Sequence, residues 1–384
     1  MPGPEAADAV ARGPGATANV IVVNAGSSSL KVRVLDGSDC VVDSLDVDRW
    51  DGGADLPELA RFLAGAGPSA AVAGHRVVHG GTSFTEAVLI DDTVVETIRA
   101  LTDLAPLHQP RALAGIAAVR QALPDLPAVA CFDTAFHASM PAAAATYALP
   151  ADWTRRFGLR RFGFHGLSHG YASRRAAELL DADTAGLRVV TCHLGAGASI
   201  AAVRGGRCQD TTMGFTPLEG LVMATRSGSV DPGMLIWLLQ QDKVRLDELG
   251  AGLEQRSGLV GLSGQTSGDI LDVQKAAGRG DATAAAAIEV YLHRLRREIA
   301  AMAAAVDGLD VLVFTGGIGE HNPAVRAAAA DGLGFLGVAI DPVRNSAMAD
   351  ADISGLGAAV RTLVITARED IEIARQCRAV LAAP

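Results

Sequence analysis

Cysteine pairs at metal-binding spacing are missing from this sequence. Its five cysteines (Cys40, Cys131, Cys192, Cys208 and Cys377) show no C-x-x-C pairing, and several lie in apolar strand patterns. They read as reduced core thiols, which sets aside a zinc site or a disulfide framework. Aromatic residues are scarce, at 4%, while hydrophobic residues reach 49% with heavy use of Ala, Gly and Val. That balance excludes a disordered chain and suits a close-packed α/β protein. No apolar run approaches membrane-spanning length, and no basic stretch followed by an apolar one opens the chain, so we expect a cytoplasmic protein. The formal net charge of −10 argues against nucleic acid or anionic membranes as partners. An anionic substrate must then be met by local Arg and Lys. Two familiar phosphate-binding motifs are missing from the chain's three glycine loops (Asn24–Ser29, Gly195–Ser199 and Gly316–Gly319): none of them has the G-x-x-x-x-G-K-[ST] spacing, and none gives G-x-G-x-x-G with an acidic residue downstream.

What the chain has instead is glycine loops set after strands. In residues 20–36 an apolar run (Val20–Val23) leads into a polar turn (Asn24–Ser29), and an alternating strand (Leu30–Leu35) leads out. This pattern predicts a β-hairpin whose turn offers Ser27, Ser28, Ser29 and Lys31 to an anion. Residues 188–206 repeat the design around Gly195–Ser199, and Val311–Glu320 opens a third strand onto Gly316, Gly317 and Gly319. Three such units point to a duplicated nucleotide-binding core with a phosphate site built from hairpins. A Ser-rich hairpin turn without a ligand is the structural alternative for the first.

At 384 residues the chain is long enough for two domains. Residues 1–17, rich in Pro, Gly and Ala, read as a flexible tail. Beyond them we expect helices over Leu56–Gly65, Asp91–Leu104, Arg111–Leu123, Tyr171–Leu180, Ala282–Val306 and Glu369–Leu381, and strands over Ala70–Val78, Ala128–Phe132 and Leu363–Ile365. Alternating strands and helices predict mixed or parallel sheets with helices packed on them.

Residues able to do chemistry fall at strand ends and in loops. Arg76 lies between His75 and His79 in Gly74–Gly81, Asp133 follows the strand ending at Phe132, and His165 sits in the glycine-bracketed loop Gly163–Gly170. A second arginine, Arg226, lies in Thr225–Gly228 after the loop Asp210–Gly220. Two arginines in glycine-rich surroundings, with histidines and a lone carboxylate, suit phosphoryl transfer: Arg offers a fixed, permanently charged fork, and a carboxylate holds Mg²⁺. Structural alternatives stand beside each. Either Arg could be a surface ion pair, Asp133 a helix N-cap, and His75, His79 and His169 core histidines.

Together these segments resemble the acetate kinase family. Asn24–Lys31 is similar to its first signature and Gly163–His169 to its second. Gly74–Gly81, Leu104–His108, Phe132–His137, Met213–Leu221, Thr225–Gly228 and Phe314–Glu320 are similar to further blocks in the same order. The resemblance implies an α/β fold of two duplicated ribonuclease-H-like domains around a central cleft: residues 18–137 plus 371–384, and residues 138–370, the latter carrying the nucleotide site and a dimer interface. It implies Mg²⁺-dependent, reversible transfer from ATP to acetate, giving ADP and acetyl phosphate, with Mn²⁺ as a substitute metal and a homodimer as the assembly. By position it implies that Arg76, Asp133, His165 and Arg226 are catalytic, with His108 and His193 close by. Val78, Leu107 and Pro217 would hold the methyl group, and Asn24 and Glu369 the metal. Ser27, Ser29, Lys31, His193, Gly195, Ala196 and Gly197 would line the phosphates. Asp269, Ile270, Leu271, Gly316, Gly317, Ile318 and Gly319 would border the adenosine.

Departures from the family pattern gather around the nucleotide. Ala196 stands where Asn is usual, Ile270 and Leu271 where Phe-Arg is common, and His321 where Asn is usual; Gln109, Ser229 and Arg368 are further replacements. The loss of an aromatic and a cation beside adenine predicts altered nucleotide preference before loss of activity. Three rival readings stay open: a propionate or other short-chain acyl kinase, a non-catalytic nucleotide-binding relative, and a sugar kinase of the same superfamily. Replacing Arg76 or Arg226 by Ala is expected to abolish most turnover with the fold intact.

Overall fold

The structure, a computed structural model, describes residues 18–26, 29–48, 50, 52–53 and 57–383. The expected tail, Ser27, Ser28 and Leu56 lie outside these. The described residues form two compact units. Unit one takes the chain to Ala138, Gly166–Tyr171 and the segment from Arg368; unit two takes Ser139–His165 and Ala172–Ala367.

Unit one is built on a mixed sheet. Its strands are β1 (Asn19–Ala25), β2 (Ser29–Leu35), β3 (Val41–Asp48), β4 (Ala70–Val77), β5 (Val88–Leu89) and β6 (Ala128–Phe132), in the order β3-β2-β1-β4-β6-β5. β1, β2 and β3 are antiparallel, β4 and β6 run parallel to β1, and β5 closes the edge antiparallel. β1 is β-branched and buried on both faces, as a central strand must be. Ile21 and Val23 pack with Leu30, Leu59, Leu63 and Val119, which come from β2 and the helices Pro57–Ala66 and Gln109–Ala122. Val20 and Val22 face the other way, onto Ile373, Ala374 and Cys377 of the helix Glu369–Ala382. Each such aliphatic side chain contributes about 1.5–3 kcal/mol on burial. That last helix carries Glu369, Asp370 and Glu372 in its first turn, where the helix dipole favours anions.

Unit two repeats the plan with β7 (Arg188–Leu194), β8 (Ala198–Arg204), β9 (Arg207–Thr211), β10 (Val311–Thr315), β11 (Ala351–Asp352) and β12 (Arg361–Val364), ordered β11-β12-β10-β7-β8-β9. The long helix Ala282–Ala305 starts where Asp281 accepts from Thr283 N and Ala284 N, and it buries Ala284, Ala287, Tyr291, Leu295 and Ile299 at helical spacing. Duplication is thus visible strand by strand, and both units are of the expected α/β class.

The comparison of the two sheets corrects one expectation. The third glycine unit is not a hairpin: β10 runs into the short helix Gly316–His321, and β10 occupies the place in its sheet that β4 occupies in the first. Two helices also differ in extent. The one expected over Asp91–Leu104 ends at Ala100 and gives way to a 3₁₀ turn over Thr102–Leu104, and the one expected from Tyr171 already begins at Gly166. All five cysteines are free; Cys131, Cys192, Cys208 and Cys377 are buried core thiols, as expected, whereas Cys40 is exposed, which corrects that expectation. A hydrogen bond with Cys377 and burial push the Cys131 thiol up, and burial does the same to Cys192 and Cys208, so these stay protonated. Among the described residues no helix is long and apolar enough to cross a membrane.

Candidate functional site

In unit one the parallel pairing sets the site. Val23 lies opposite His75, and Val77 opposite Phe132, so Asn24, Arg76 and Asp133 all fall at the carboxyl ends of adjacent strands. That end of an open α/β sheet is where ligands bind. Arg76 is held twice over by Asp133: Nη2 donates to Oδ2 at 2.7 Å and Nε to Oδ1 at 3.1 Å. Its Nη1 donates to Asn24 Oδ1 at 3.2 Å and lies 3.5 Å from Glu369 Oε2, which also accepts from Asn24 Nδ2 at 3.2 Å. Four residues named from the sequence for catalysis and metal binding therefore form one network. It holds one cation against two carboxylates. The Arg76 side chain is 16% exposed and that of Asp133 1%.

Burial works against the charge on both groups. For Arg76 it is outweighed by the nearby Asp133 and Glu369 charges and the Asp133 bonds, so the guanidinium is held charged more firmly than usual. For Asp133 burial wins, helped by Glu369, and the carboxyl is pushed up against the pull of Arg76. The N-cap alternative for Asp133 is thus replaced by a buried ion pair, and Arg76 is not a surface pair.

Other unit-one expectations are placed as follows. Lys31, exposed, lies directly across from Asn24 in the β1–β2 register, and the Ser29 carbonyl accepts from Gly26 N at 2.8 Å. Ser27 lies outside the described residues. Val78 is buried, whereas Leu107 is exposed. His75, His79 and His169 are core residues. Burial depresses His75 to about 3. Gln109 is buried against His79, taking its N–H on Oε1 and giving Nε2 to its carbonyl, which explains why an amide side chain sits there.

In unit two the β7–β8 hairpin turns at Gly195–Gly197. His193 and Ser199 face each other across it in register. The His165 ring stacks on His193 with centroids 4.4 Å apart, and His165 Nδ1 lies 2.9 Å from Ser199 Oγ. This contact and the stacking fix the plane of the His165 ring. His165 holds a left-handed backbone (φ 56°), a strained setting for a non-glycine residue and one typical of functional positions. Space at Gly197 joins these groups: a Cβ there would lie 3.2 Å from Arg226 Nη2 and 3.5 Å from His165 Nε2. A side chain at 197 would crowd the guanidinium and the imidazole. Arg226 Nη1 donates to the Pro217 carbonyl at 2.7 Å. Among the described residues no carboxylate is within ion-pair distance of it. Burial pushes this guanidinium down, with Glu254 acting the other way from further off. His108 belongs to unit one, where it precedes the helix Gln109–Ala122.

Beside this cluster lies a cavity of about 350 Å³ within unit two. Gly195, Ala196, Asp269, Ile270, Leu271, Gly317 and Ile318 border it, each of them named from the sequence. Asp269 caps the helix Ile270–Gly278 by accepting from Leu271 N at 2.8 Å. Ile270 is buried and Leu271 exposed. His193, Gly197, Gly316 and Gly319 stand outside the lining. His321, recorded as a departure, is part of it.

Ala224, Gly268 and Asn322 complete the wall and were not singled out beforehand. Gly268 packs flat on the Ala224 carbonyl, which leaves no room for a side chain. Arg326 was missed too. Fully buried, it gives all five N–H donors to oxygens: Gly319 O and Glu320 O from Nη1, Asn345 O and Ala347 O from Nη2, and Asn345 Oδ1 from Nε. It thereby fixes the far end of the Gly316–His321 turn. An Arg inside a helix of small residues gives no such signal in a sequence.

A family model described as the acetokinase family matches residues 65–375. A protein of Synechococcus sp. (strain JA-2-3B'a(2-13)) named acetate kinase is 51% identical over 333 residues, covering 86% of this chain and 80% of that one. A namesake from Acetivibrio thermocellus is 40% identical over 93% of this chain and 98% of its own length. Among solved structures, Porphyromonas gingivalis acetate kinase superposes with a TM-score of 0.87 at 34% identity, covering 95% of this chain and 100% of that one. A propionate kinase from Francisella tularensis gives 0.86 at 35% identity, over 94% and 99%.

Proposed function

The chain belongs to the acetokinase family, and from that premise we propose that it transfers the terminal phosphoryl group of ATP to acetate, reversibly, giving acetyl phosphate and ADP. The observation that carries this reading is Arg226: a guanidinium without a carboxylate partner among the described residues, set with His165 around Gly197 beside a cavity of nucleotide size. A permanent charge reserved in this way suits the equatorial oxygens of a phosphoryl group in flight.

A carboxylate is already a competent nucleophile, so the protein needs no general base. Its work is to hold two anions and to spread developing charge. On unit two, Gly195 and Gly197 give the phosphates close backbone approach, and His165 Nε2 and Arg226 donate to the moving group. Asp269, Ile270, Leu271, Gly317 and Ile318 receive the adenosine, with Gly316 and Gly319 shaping the turn. On unit one, Arg76 binds the acid, Asp133 orients it, and Val78 with Leu107 offers the methyl group an apolar surface. Ser29 and Lys31, on the strand paired with that of Asn24, would offer a hydroxyl and a cation to the phosphates.

Two oxygens of the unit-one network support a hard divalent metal. Among the described residues no group of three or more His, Cys, Asp and Glu is placed to cage an ion. Glu369 and the Asn24 carbonyl are hard oxygen donors, and one carboxylate plus phosphate and water is how Mg²⁺ is commonly held. Bound there, Mg²⁺ or Mn²⁺ would supply charge neutralisation for the phosphates and offset the excess carboxylate around Arg76. We further propose a cytoplasmic homodimer. Its support is the helix Pro232–Gln240, which buries no residue and leaves Met234, Ile236 and Trp237 exposed.

The test is Mg²⁺- and ATP-dependent acyl phosphate formation, trapped with hydroxylamine, across formate, acetate, propionate and butyrate. Turnover peaking at acetate supports the reading. One extra methylene changes binding by only about 1–3 kcal/mol, so propionate should also react. A peak at propionate would favour the other acyl kinase, to which the Francisella neighbour points. No product with any acid would leave a nucleotide-binding relative without catalysis.

A further inference from the structure

The loop from Thr212 to Gly220 bonds Arg226 directly and the backbone just ahead of His165, and something must hold it still. Its Pro217 carbonyl takes Arg226 Nη1 at 2.7 Å. Its Gly214 carbonyl accepts from Phe162 N at 3.0 Å and Gly163 N at 3.2 Å, just ahead of His165. The loop is therefore a strut between the guanidinium and the imidazole.

Three side chains far apart in sequence clamp that strut. The Tyr147 hydroxyl donates to Glu219 Oε2 at 2.5 Å and accepts from Phe215 N at 2.9 Å. Arg161 Nη2 donates to Glu219 Oε1 at 2.7 Å, while its Nη1 reaches the Thr212 and Met213 carbonyls at 3.2 and 3.1 Å. The Arg161 guanidinium also lies over the Tyr147 ring, 5.5 Å from its centroid. Gly214 is pressed so closely against the Glu219 carboxylate and the Tyr147 hydroxyl that a side chain there would collide with both. Both carboxylate oxygens of Glu219 are thus bonded to donors that themselves bond the loop backbone. Charge-assisted bonds of this kind are short and directional.

We propose that Tyr147, Arg161 and Glu219 are positioning residues for phosphoryl transfer, acting through Arg226 and His165 without touching substrate. Charge on Glu219 draws the Tyr147 hydroxyl and the Arg161 fork together, and these fix where the Pro217 and Gly214 carbonyls point. Loosening the clamp lets Arg226 drift from the angle at which it meets the phosphoryl oxygens. Nucleotide binding, which rests on the separate cavity, is left nearly unchanged.

The inference rests on the acyl kinase reading, and its test separates the two. Tyr147→Phe keeps the ring over Arg161 and removes one hydroxyl. We expect kcat to fall about tenfold or more, since the hydroxyl makes two hydrogen bonds, one of them to the charged Glu219, with KM for ATP changed by less than about twofold. In an Arg226→Ala background the same substitution should change kcat by less than about twofold, because its effect runs through the missing guanidinium. Glu219→Gln, which keeps the shape and drops the charge, provides a second cycle should Tyr147→Phe fold poorly. Equal losses with and without Arg226, or a lower melting temperature with kcat unchanged, would overturn the proposal. An inactive wild-type protein would instead overturn the function itself.

Discussion

Arg76 and Arg226 are alike in sequence, each an arginine in a glycine-rich segment, and opposite in their surroundings. Arg76 is bonded to Asp133 through two nitrogens and faces Glu369, so its charge is largely balanced within the protein. Arg226 gives one bond to a carbonyl, and among the described residues no carboxylate pairs with it. The difference teaches that the two arginines do different work. Arg76 organises a cluster rich in anions that suits a cation and orients an acid. Arg226 keeps its charge for an incoming anion. Loss of the first should accordingly cost both stability and rate, and loss of the second rate alone.

Removing Arg76 tests this most severely. Arg76→Ala leaves Asp133 buried without its partner, and loss of one member of a buried pair costs about 3–5 kcal/mol. Urea unfolding should show that loss together with collapse of turnover. The expectation from sequence alone, that the fold would be untouched, is revised here by the burial of Asp133. An unchanged unfolding midpoint would erase the contrast with Arg226.

Acid should weaken unit one through His75. Its ring titrates at about 3 when folded and near the usual 6.5 when unfolded. Below 6.5 the unfolded chain binds a proton that the folded one refuses, so stability is full above that pH and falls as pH drops towards 3. The expected slope is about 1.4 kcal/mol per pH unit. His75→Leu should flatten that slope in pH-dependent unfolding. An equal slope in the variant would assign the acid sensitivity to other groups.

The smallest effect concerns the cavity. Leu271→Arg restores a cation at its exposed rim, and a cation–π contact at such a site contributes about 0.5–1 kcal/mol. Calorimetric titration should show ATP binding two- to fivefold tighter, with kcat unchanged. No gain would mean that Leu271 does not face the base.

Much of this was legible in the sequence where a local pattern decides the outcome. Val20–Val23 and Val189–Leu194 are apolar runs that end at glycine turns, and both hairpins form where the alternation resumes. The helix Ala282–Ala305 follows from its spacing and from Asp281 as a cap. The third glycine unit misled because it opens like the hairpins; only the register shows that β10 sits where β4 does, with a helix and not a strand after it. Helix Pro232–Gln240 has almost no polar residue to reveal a period. Above all, a sequence names candidate residues without their partners. The bond from Asn24 to Glu369 spans 345 positions, and the Tyr147–Glu219 bond spans 72. Arg76 and Arg226 became distinguishable only once those neighbours were in place.

The most direct measurement is acetyl phosphate formation by Arg226→Ala beside its thermal unfolding. The account predicts turnover lower by on the order of 10³ or more, as for arginines that stabilise phosphoryl transfer elsewhere, with the melting temperature within a few degrees of wild type. Turnover within about tenfold of wild type, or a melting temperature lowered as far as that of Arg76→Ala, would contradict it.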